Sequence, residues 1–166
     1  MKKLLTICFS GHRPNNLPWK ENEKCLSFLL FRFKLKKIII NKINQGYTHF
    51  ISGMARGIDL ICAELIINLK EKYNIFLECA IPCLNQTEKW DDKEKLRYGE
   101  ILSHADKITT ISNRDYYTGC MKKRNLYMVE NSNILIAIFN GNKKSGTYQT
   151  INFAKKANIE IIVLKP

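Results

Sequence analysis

Three glycine-containing segments hold the residues of this sequence that are best suited to bind an anion. The first, Ser10–Pro14, places a glycine, a histidine and an arginine directly after a short apolar run. The glycine lets the backbone approach a ligand closely, and Arg13 can hold a phosphate through two hydrogen bonds. His12 can donate to an oxyanion or transfer a proton. The alternative is an ordinary turn with a solvated basic pair.

The second segment, Ser52–Asp59, has two glycines bracketing small residues at the start of a predicted helix. A helix start presents free backbone N–H groups and the positive end of a dipole. Arg56 can reach a phosphate or carboxylate from this position. Asp59 either binds a ribose hydroxyl, pairs with Arg56, or acts as a helix-start acid. The spacing differs from the GxGxxG dinucleotide fingerprint.

The third segment, Asn140–Thr147, follows the most apolar predicted strand and opens another helix. Gly, Lys, Ser and Thr at a helix N-terminus are typical of a phosphate site. The GxxxxGK[ST] order of a P-loop is absent, so magnesium-dependent ATP hydrolysis is not supported. The alternative is a capped turn with Ser145 or Thr147 as the N-cap.

Other residues are expected to form a side wall. Arg124 and Asn125 lie near the start of a predicted helix, and Trp90 or Tyr148 can stack on a base; Trp90 can equally cover an edge of the core. The expected ligand-binding residues are Ser10, Gly11, His12, Arg13, Gly53, Met54, Ala55, Arg56, Gly57, Asp59, Trp90, Arg124, Asn125, Asn140, Gly141, Lys143, Ser145, Gly146 and Thr147.

The elements that must position these residues alternate between strand and helix along the chain. Short apolar runs predict strands, and apolar spacings of three and four predict helices. Strands are predicted at Leu4–Phe9, Tyr47–Ser52, Ile75–Ile81, Lys107–Ile111, Ile134–Phe139 and Glu160–Leu164, and helices at 22–45, 58–73, 92–104, 121–131 and 146–157. This order predicts one α/β domain, 1–166, with a mainly parallel sheet of about six strands and helices on both faces. Ligands bind such sheets at the carboxyl ends of the strands.

The net charge of +12 comes from 27 Lys and Arg against 15 Asp and Glu. Such an excess attracts nucleic acid or phosphorylated small molecules, but most of the cations are diffusely placed lysines, which is also typical of compositional drift. The six cysteines form no CxxC pair, so reduced core thiols are expected and no metal site is predicted.

The first residues, Met1–Lys3 followed by Leu4–Phe9, superficially imitate a signal peptide. The apolar run is short and continues into Ser10–Pro14 without a small-residue cleavage site, so a buried first strand is the better interpretation. No run reaches the length of a membrane span. The sequence therefore predicts a cytoplasmic protein with no membrane contact.

In their order along the chain, Ser10–Pro14, Ser52–Asp59, Arg124–Val129 and Ser145–Thr147 resemble the YpsA-like branch of the SLOG superfamily, which groups DprA with the LOG phosphoribohydrolases. The resemblance covers nearly the whole chain. It implies a Rossmann-like three-layer sandwich and a pocket for nucleotides or ADP-ribose derivatives. Members include hydrolases, ligand sensors tied to stress or phage defence, and the single-stranded DNA binder DprA. The resemblance also makes self-association an expectation.

One departure from the family bears on catalysis. LOG enzymes carry a Gly-Gly-x-Gly-Thr-x-x-Glu pattern whose Glu takes part in N-glycosidic cleavage. Aligning Gly146 and Thr147 on its Gly-Thr puts Thr150 at the Glu position and Lys144 at the second Gly. A threonine cannot act as a carboxylate base or stabilise a ribosyl cation. Asp59 and Glu64 are the weak catalytic candidates that remain.

These observations favour a sensor, carrier or sequestering protein for a nucleotide-derived ligand, with no cofactor beyond that ligand. Two alternatives stay open. One is a hydrolase of nucleoside monophosphates or NAD-like substrates that uses Asp59 or Glu64 as the acid. The other is a single-stranded nucleic-acid binder, whose binding would depend steeply on salt.

Overall fold

A six-stranded sheet forms the centre of the fold in the computed structural model, which describes residues 4–166. Met1–Lys3, the start of the predicted domain and of the signal-like run, lie outside the described residues. The strands are β1 (Thr6–Gly11), β2 (His49–Ser52), β3 (Phe76–Ile81), β4 (Lys107–Thr110), β5 (Ile134–Ile138) and β6 (Glu160–Leu164). The helices are α1 (Leu26–Asn44), α2 (Ile58–Lys70), α3 (Asp92–His104), α4 (Cys120–Glu130) and α5 (Gly146–Lys156), and a 3₁₀ turn spans Pro14–Asn16.

The strand order is β4-β3-β2-β1-β5-β6, and every pair is parallel. One core cluster joins α1, α2 and α3 to one face of the sheet, and a second joins α4 and α5 to the other face. The predicted parallel sheet with helices on both faces is therefore confirmed. The chain reverses its direction of travel across the sheet between β1 and β5, and this switch point is where such folds form a ligand crevice.

The central strands β1 and β5 are largely apolar because both of their faces are buried. In β1, Ile7 and Phe9 belong to the core under α1 and α2, while Cys8 between them belongs to the core under α4 and α5. Successive side chains of a strand point to opposite faces. A strand buried on both sides therefore has a continuous apolar run, which is the pattern that the sequence shows.

The first helix begins later than the sequence predicts. The expected range was 22–45, whereas α1 starts at Leu26, after Cys25 as its N-cap. Trp19 packs on Phe28 at 5.5 Å and on Phe31 at 4.7 Å between ring centroids. The segment before the helix must fold back over α1 to make these contacts, so it cannot continue the helix.

The first strand extends two residues beyond the predicted end at Phe9. Ser10 pairs with Ala137 and Gly11 with Ile138 in the parallel ladder with β5. Ser10 and Gly11 were expected in a loop because the apolar run ends before them. Strand pairing decides the boundary here, and it carries Gly11 to the carboxyl edge of the sheet.

The cysteines are free, and all but Cys25 are buried. Burial raises the pKa of the Cys8 and Cys79 thiols to about 12. These thiols stay protonated near neutral pH, and a protonated thiol is a poor nucleophile. None of the helices in the range 4–166 combines the length and the apolar character that crossing a bilayer requires.

Replacing Gly11 tests the close packing of β1 against α2. An added Cβ would lie 2.4–2.6 Å from three side-chain atoms of Ile58, so strand and helix must separate. We expect Gly11→Ala to lower the free energy of unfolding by about 1–3 kcal/mol in urea titrations. The control is Gly99→Ala within α3, where a Cβ meets nothing within 4 Å and stability should rise by about 0.5–1 kcal/mol. An unchanged stability of Gly11→Ala would contradict this packing.

Candidate functional site

The loop after β2 is held rigidly against the first turn of α2. The Ser52 hydroxyl donates to the Asp59 carbonyl at 2.8 Å and accepts from the Met54 amide at 3.2 Å. The Ala55 amide donates to Asp59 Oδ2 at 3.2 Å. Gly57 has φ +87°, and an added Cβ would lie 2.6 Å from the His12 carbonyl oxygen. Glycine is therefore required at 57, and the loop after β2 lies directly against the segment after β1.

The buried side chains of Asp59 in α2 and Arg124 in α4 attract each other electrostatically, although no N···O distance between them is within 4.0 Å. Both residues are only 5% exposed. The Arg124 guanidinium donates through Nη1 to the Gly53 carbonyl and through Nε to Asn125 Oδ1, the latter at 2.9 Å. A Cβ on Gly53 would lie 2.8 Å from both Arg124 Cζ and Asp59 Oδ2. A side chain at position 53 would therefore collide with both the Arg124 guanidinium and the Asp59 carboxylate.

The opposite charges of Asp59 and Arg124 shift each other's pKa in the direction opposite to the shift that burial causes. Burial raises the pKa of Asp59, while Arg124, the Ala55 amide and Arg13 lower it. Burial lowers the pKa of Arg124, while Asp59 raises it. Each group therefore favours the charged form of the other. The expectation that Asp59 pairs with Arg56 is wrong, because Arg56 Nη2 donates to Glu21 at 3.1 Å.

His12 links the segments that follow β1 and β5. Its Nε2 accepts from the Asn140 amide at 3.1 Å, and its ring stacks on Phe139 with 6.0 Å between centroids. Only a ring without a proton on Nε2 can accept this bond, so the neutral form carries its proton on Nδ1. Burial lowers the pKa of His12, which favours the same neutral form.

The N-terminus of α5 lies at the carboxyl end of β5. Ser145 is the N-cap, and its hydroxyl accepts from the Tyr148 amide at 3.2 Å and donates to the Asn142 carbonyl at 2.7 Å. Among residues 4–166, no acceptor bonds the amides of Gly146 and Thr147. These amides are the free donors that a helix start offers to an anion.

A polar cavity of about 300 Å³ lies between these segments. It is bordered by Ser10, Gly11, His12, Arg13, Asn16, Ala55, Asp59, Met121, Arg124, Asn125, Asn142, Lys144, Ser145, Gly146 and Thr147. Neither Arg13 nor Lys144 has a carboxylate within 4.0 Å in the described part of the chain. The cavity therefore presents two unpaired cations and a helix N-terminus at the switch point of the sheet.

Larger depressions lie elsewhere, and several acidic side chains border them beside the basic ones. A cavity of about 590 Å³ is bordered by residues of α2 and α3, and one of about 490 Å³ by the segment before α1. Both include Arg97, which is already bound by Glu64 at 2.6 Å and Glu23 at 2.8 Å. Glu64, a weak catalytic candidate from the sequence, is therefore part of this ion-pair cluster and does not border the polar cavity.

The structure brings most of the expected site residues together, but several lie outside the cavity border. Those outside are Gly53, Met54, Arg56, Gly57, Trp90, Asn140, Gly141 and Lys143. Gly53 and Gly57 shape the backbone, and Asn140 holds His12. Trp90 packs edge-on against Tyr98 at 5.5 Å and 85°, so its alternative role at the edge of the core is the observed one.

Four bordering residues escaped the sequence prediction: Asn16, Met121, Asn142 and Lys144. Lys144 follows the predicted Lys143 directly, and only the loop conformation decides which of the two faces the cavity. Asn142 Oδ1 accepts from the Lys144 amide at 3.0 Å and fixes that conformation. In residues 4–166, no three His, Cys, Asp or Glu side chains lie close enough together to hold a metal ion.

An all-parallel sheet with a cleft at its switch point makes this a Rossmann-like α/β protein. A family model named YpsA, described as the YspA SLOG family, matches residues 7–166. The chain therefore belongs to the YpsA SLOG family.

Three relatives illustrate the spread of this similarity. The SPbeta prophage-derived protein YoqJ of Bacillus subtilis is 33% identical over 143 residues, which cover 78% of this chain and 83% of YoqJ. A UPF0398 protein of Macrococcus caseolyticus is 29% identical over 171 residues, covering 96% and 91%. A UPF0398 protein of Halalkalibacterium halodurans is 26% identical over 153 residues, covering 90% and 80%.

Among solved structures, DNA processing protein A from Helicobacter pylori is similar, with a TM-score of 0.67 and 18% identity. The match covers 98% of this chain, which spans 66% of the length of that protein. That solved structure concerns the single-stranded DNA binding mode of DNA processing protein A. At this identity the likeness shows a shared fold.

Removing the Asp59 carboxylate is expected to be costly. Asp59→Ala removes the acceptor of the Ala55 amide and the negative charge near the buried guanidinium, and we expect a loss of about 1–3 kcal/mol in the free energy of unfolding. Arg124→Met in the same background should recover part of this loss, giving a double variant less unstable than the sum of the single changes. Glu160→Ala, which breaks the exposed pair with Lys42, should cost about 1 kcal/mol or less. Strict additivity of Asp59→Ala and Arg124→Met would exclude the attraction between the two side chains.

His12 is expected to make stability depend on pH. Its pKa is lower in the folded chain than in the unfolded chain, so folding is favoured fully above the unfolded value of about 6.5 and less as pH falls below it. His12→Gln keeps an acceptor for the Asn140 amide but does not titrate. Denaturant titrations from about pH 7.5 to about pH 5 should show a steeper loss of stability in the wild type than in this variant. Parallel pH curves would contradict a neutral, buried His12.

Proposed function

We propose that this chain binds a nucleotide or nucleotide-derived phosphate ligand, of the ADP-ribose, NAD or nucleoside phosphate type. The proposed site is the polar cavity at the carboxyl ends of β1 and β5. The observation that carries the proposal is that two cations, Arg13 and Lys144, border the same cavity as the free amides of Gly146 and Thr147. Phosphate binds where fixed cations and helix-start amides converge. The position at the switch point of a parallel sheet adds support.

We further propose that the protein acts by binding, as a sensor, carrier or sequestering protein. Thr150 stands where LOG enzymes have their catalytic Glu, and it is fully buried. Its hydroxyl donates to the Gly146 carbonyl at 2.9 Å, so it supports the first turn of α5 and does not reach toward a ligand.

A hydrolase of N-glycosidic bonds is a second candidate, because Asp59 is the carboxylate that borders the cavity. Burial raises its pKa, which is the direction a general acid requires. Chromatography of nucleoside monophosphates and NAD after incubation with the protein separates the two proposals. Release of free base that Asp59→Asn abolishes would establish the hydrolase.

A single-stranded DNA binder is a third candidate, favoured by the net charge of +12 and by the fold shared with DNA processing protein A. Its signature is binding to oligonucleotides that weakens steeply with salt. Binding that disappears near physiological salt would reflect charge alone.

Adjacent lysines provide a matched test of the cavity. Lys144 borders it and Lys143 does not, so Lys144→Ala removes a ligand-facing cation and Lys143→Ala removes an equal charge beside it. Loss of a charge-assisted hydrogen bond costs about 1.5–3 kcal/mol, so Lys144→Ala and Arg13→Ala should each weaken binding about tenfold or more.

Isothermal titration with ADP-ribose, NAD and nucleoside monophosphates measures these affinities, and thermal unfolding confirms that the variants are folded. We expect the Lys143→Ala protein to bind like the wild type. Absence of binding to every compound at millimolar concentration, or equal losses in Lys143→Ala and Lys144→Ala, would overturn the proposed site.

A further inference from the structure

The groups that the cavity offers to a ligand are mainly hydrogen-bond donors. Arg13, Lys144 and the amides of Gly146 and Thr147 have no acceptor capacity and border the same space. Ser145 and Thr147 add hydroxyl groups. Such a set complements a ligand portion that is rich in oxygen atoms, as phosphate and ribose are.

The side-chain amides bordering the cavity have part of their acceptor capacity already used. Asn125 Oδ1 accepts from Arg124 Nε at 2.9 Å, and Asn142 Oδ1 accepts from the Lys144 amide at 3.0 Å. Each of these oxygens therefore has one of its two lone pairs already used within the protein. Asn16 is solvent-exposed. The amino groups of adenine, guanine and cytosine need acceptors, and Asp59, whose Oδ2 already accepts from Ala55, is the one carboxylate on the border.

Aromatic rings that would stack on a base are already packed elsewhere. Tyr148 stacks on Phe139 at 5.9 Å, and Phe139 also stacks on His12. Trp90 lies edge-on against Tyr98. Within residues 4–166, the His12 imidazole is the only aromatic ring on the cavity border. The volume of about 300 Å³ also stands at the lower end of the range for ligand pockets.

Resting on the proposed function, we infer that the cavity recognises the phosphorylated ribose common to all nucleotides and leaves the base unread. The phosphate lies against the α5 amides, Arg13 and Lys144. The ribose hydroxyls face Asp59, which is the one carboxylate on the cavity border among the described residues. The base projects out of the donor-rich space, so its identity does not change affinity.

Titration calorimetry with AMP, GMP, CMP, UMP and ribose 5-phosphate tests this inference, with adenosine and inorganic phosphate as the two halves of the ligand. We expect the five phosphorylated sugars to bind within about threefold of one another, and adenosine and phosphate each to bind about tenfold or more weakly. Lys144→Ala should weaken all five by a similar factor, because it removes a contact to the shared portion.

Trp90→Leu, which keeps an apolar side chain against Tyr98, is the matched control and should leave all five affinities unchanged. A preference of about tenfold or more for one base, a selective loss of purine binding in Trp90→Leu, or adenosine binding as tightly as AMP would overturn the inference. So would phosphate binding as tightly as ribose 5-phosphate, which would mark an adventitious anion site. If no compound in the series binds, the proposed function itself fails, whereas a base preference refutes only the inference drawn from it.

Discussion

The burial of Asp59 against Arg124 is the interaction on which the cleft depends. The carboxylate also accepts from the Ala55 amide, and the guanidinium also donates to the Gly53 carbonyl. Buried charges are stable only where hydrogen bonds and an opposite charge nearby compensate their desolvation. Together these contacts fix the loop after β2 and the start of α2 against Arg124 of α4.

Asp59 and Arg124 also explain how a strongly basic chain retains a defined anion site. Several carboxylates elsewhere are matched to cations, as Glu64 and Glu23 are to Arg97 and Asp106 is to Lys70. At the cleft, Arg124 is the stronger source of positive charge for Asp59, and neither Arg13 nor Lys144 has a carboxylate within 4.0 Å in the described part of the chain. The attraction for an anion arises locally from these two residues and the α5 amides. The remaining surface lysines contribute a diffuse field that salt screens.

The sequence predicts this fold well because its signals are periodic and local. The apolar spacing of Phe28, Phe31, Leu35 and Ile39 places α1 on the sheet, and continuous apolar runs identify the buried strands. The positions of glycine, serine and acidic residues predicted several helix starts. Ser145, one of the two N-caps expected for α5, is the observed N-cap. The start of α1 was missed because Trp19 acts through tertiary packing, which no local spacing reveals.

The site was less predictable, for the same reason. The sequence identified the three glycine-containing segments, because glycine marks the backbone positions where close approach is needed. Which side chain points inward depends on contacts between distant segments: Arg56 turns to Glu21, and Trp90 to Tyr98. Lys143 and Lys144 are identical in type and adjacent, so composition alone cannot separate them. Asn16 and Met121 belong to no motif and reach the cavity only through the fold.

Thr150 shows how one substitution changes the balance between binding and chemistry on an unchanged framework. Its buried hydroxyl donates to the Gly146 carbonyl and closes the first turn of α5 from within. A glutamate at this position would bring a negative charge to the turn whose free amides attract the anion, which weakens ground-state binding while supplying a catalytic group. With threonine, the dipole and amides of α5 act on the ligand without an opposing charge from this position. Under the proposed function, threonine at this position therefore favours binding of the ligand over its cleavage.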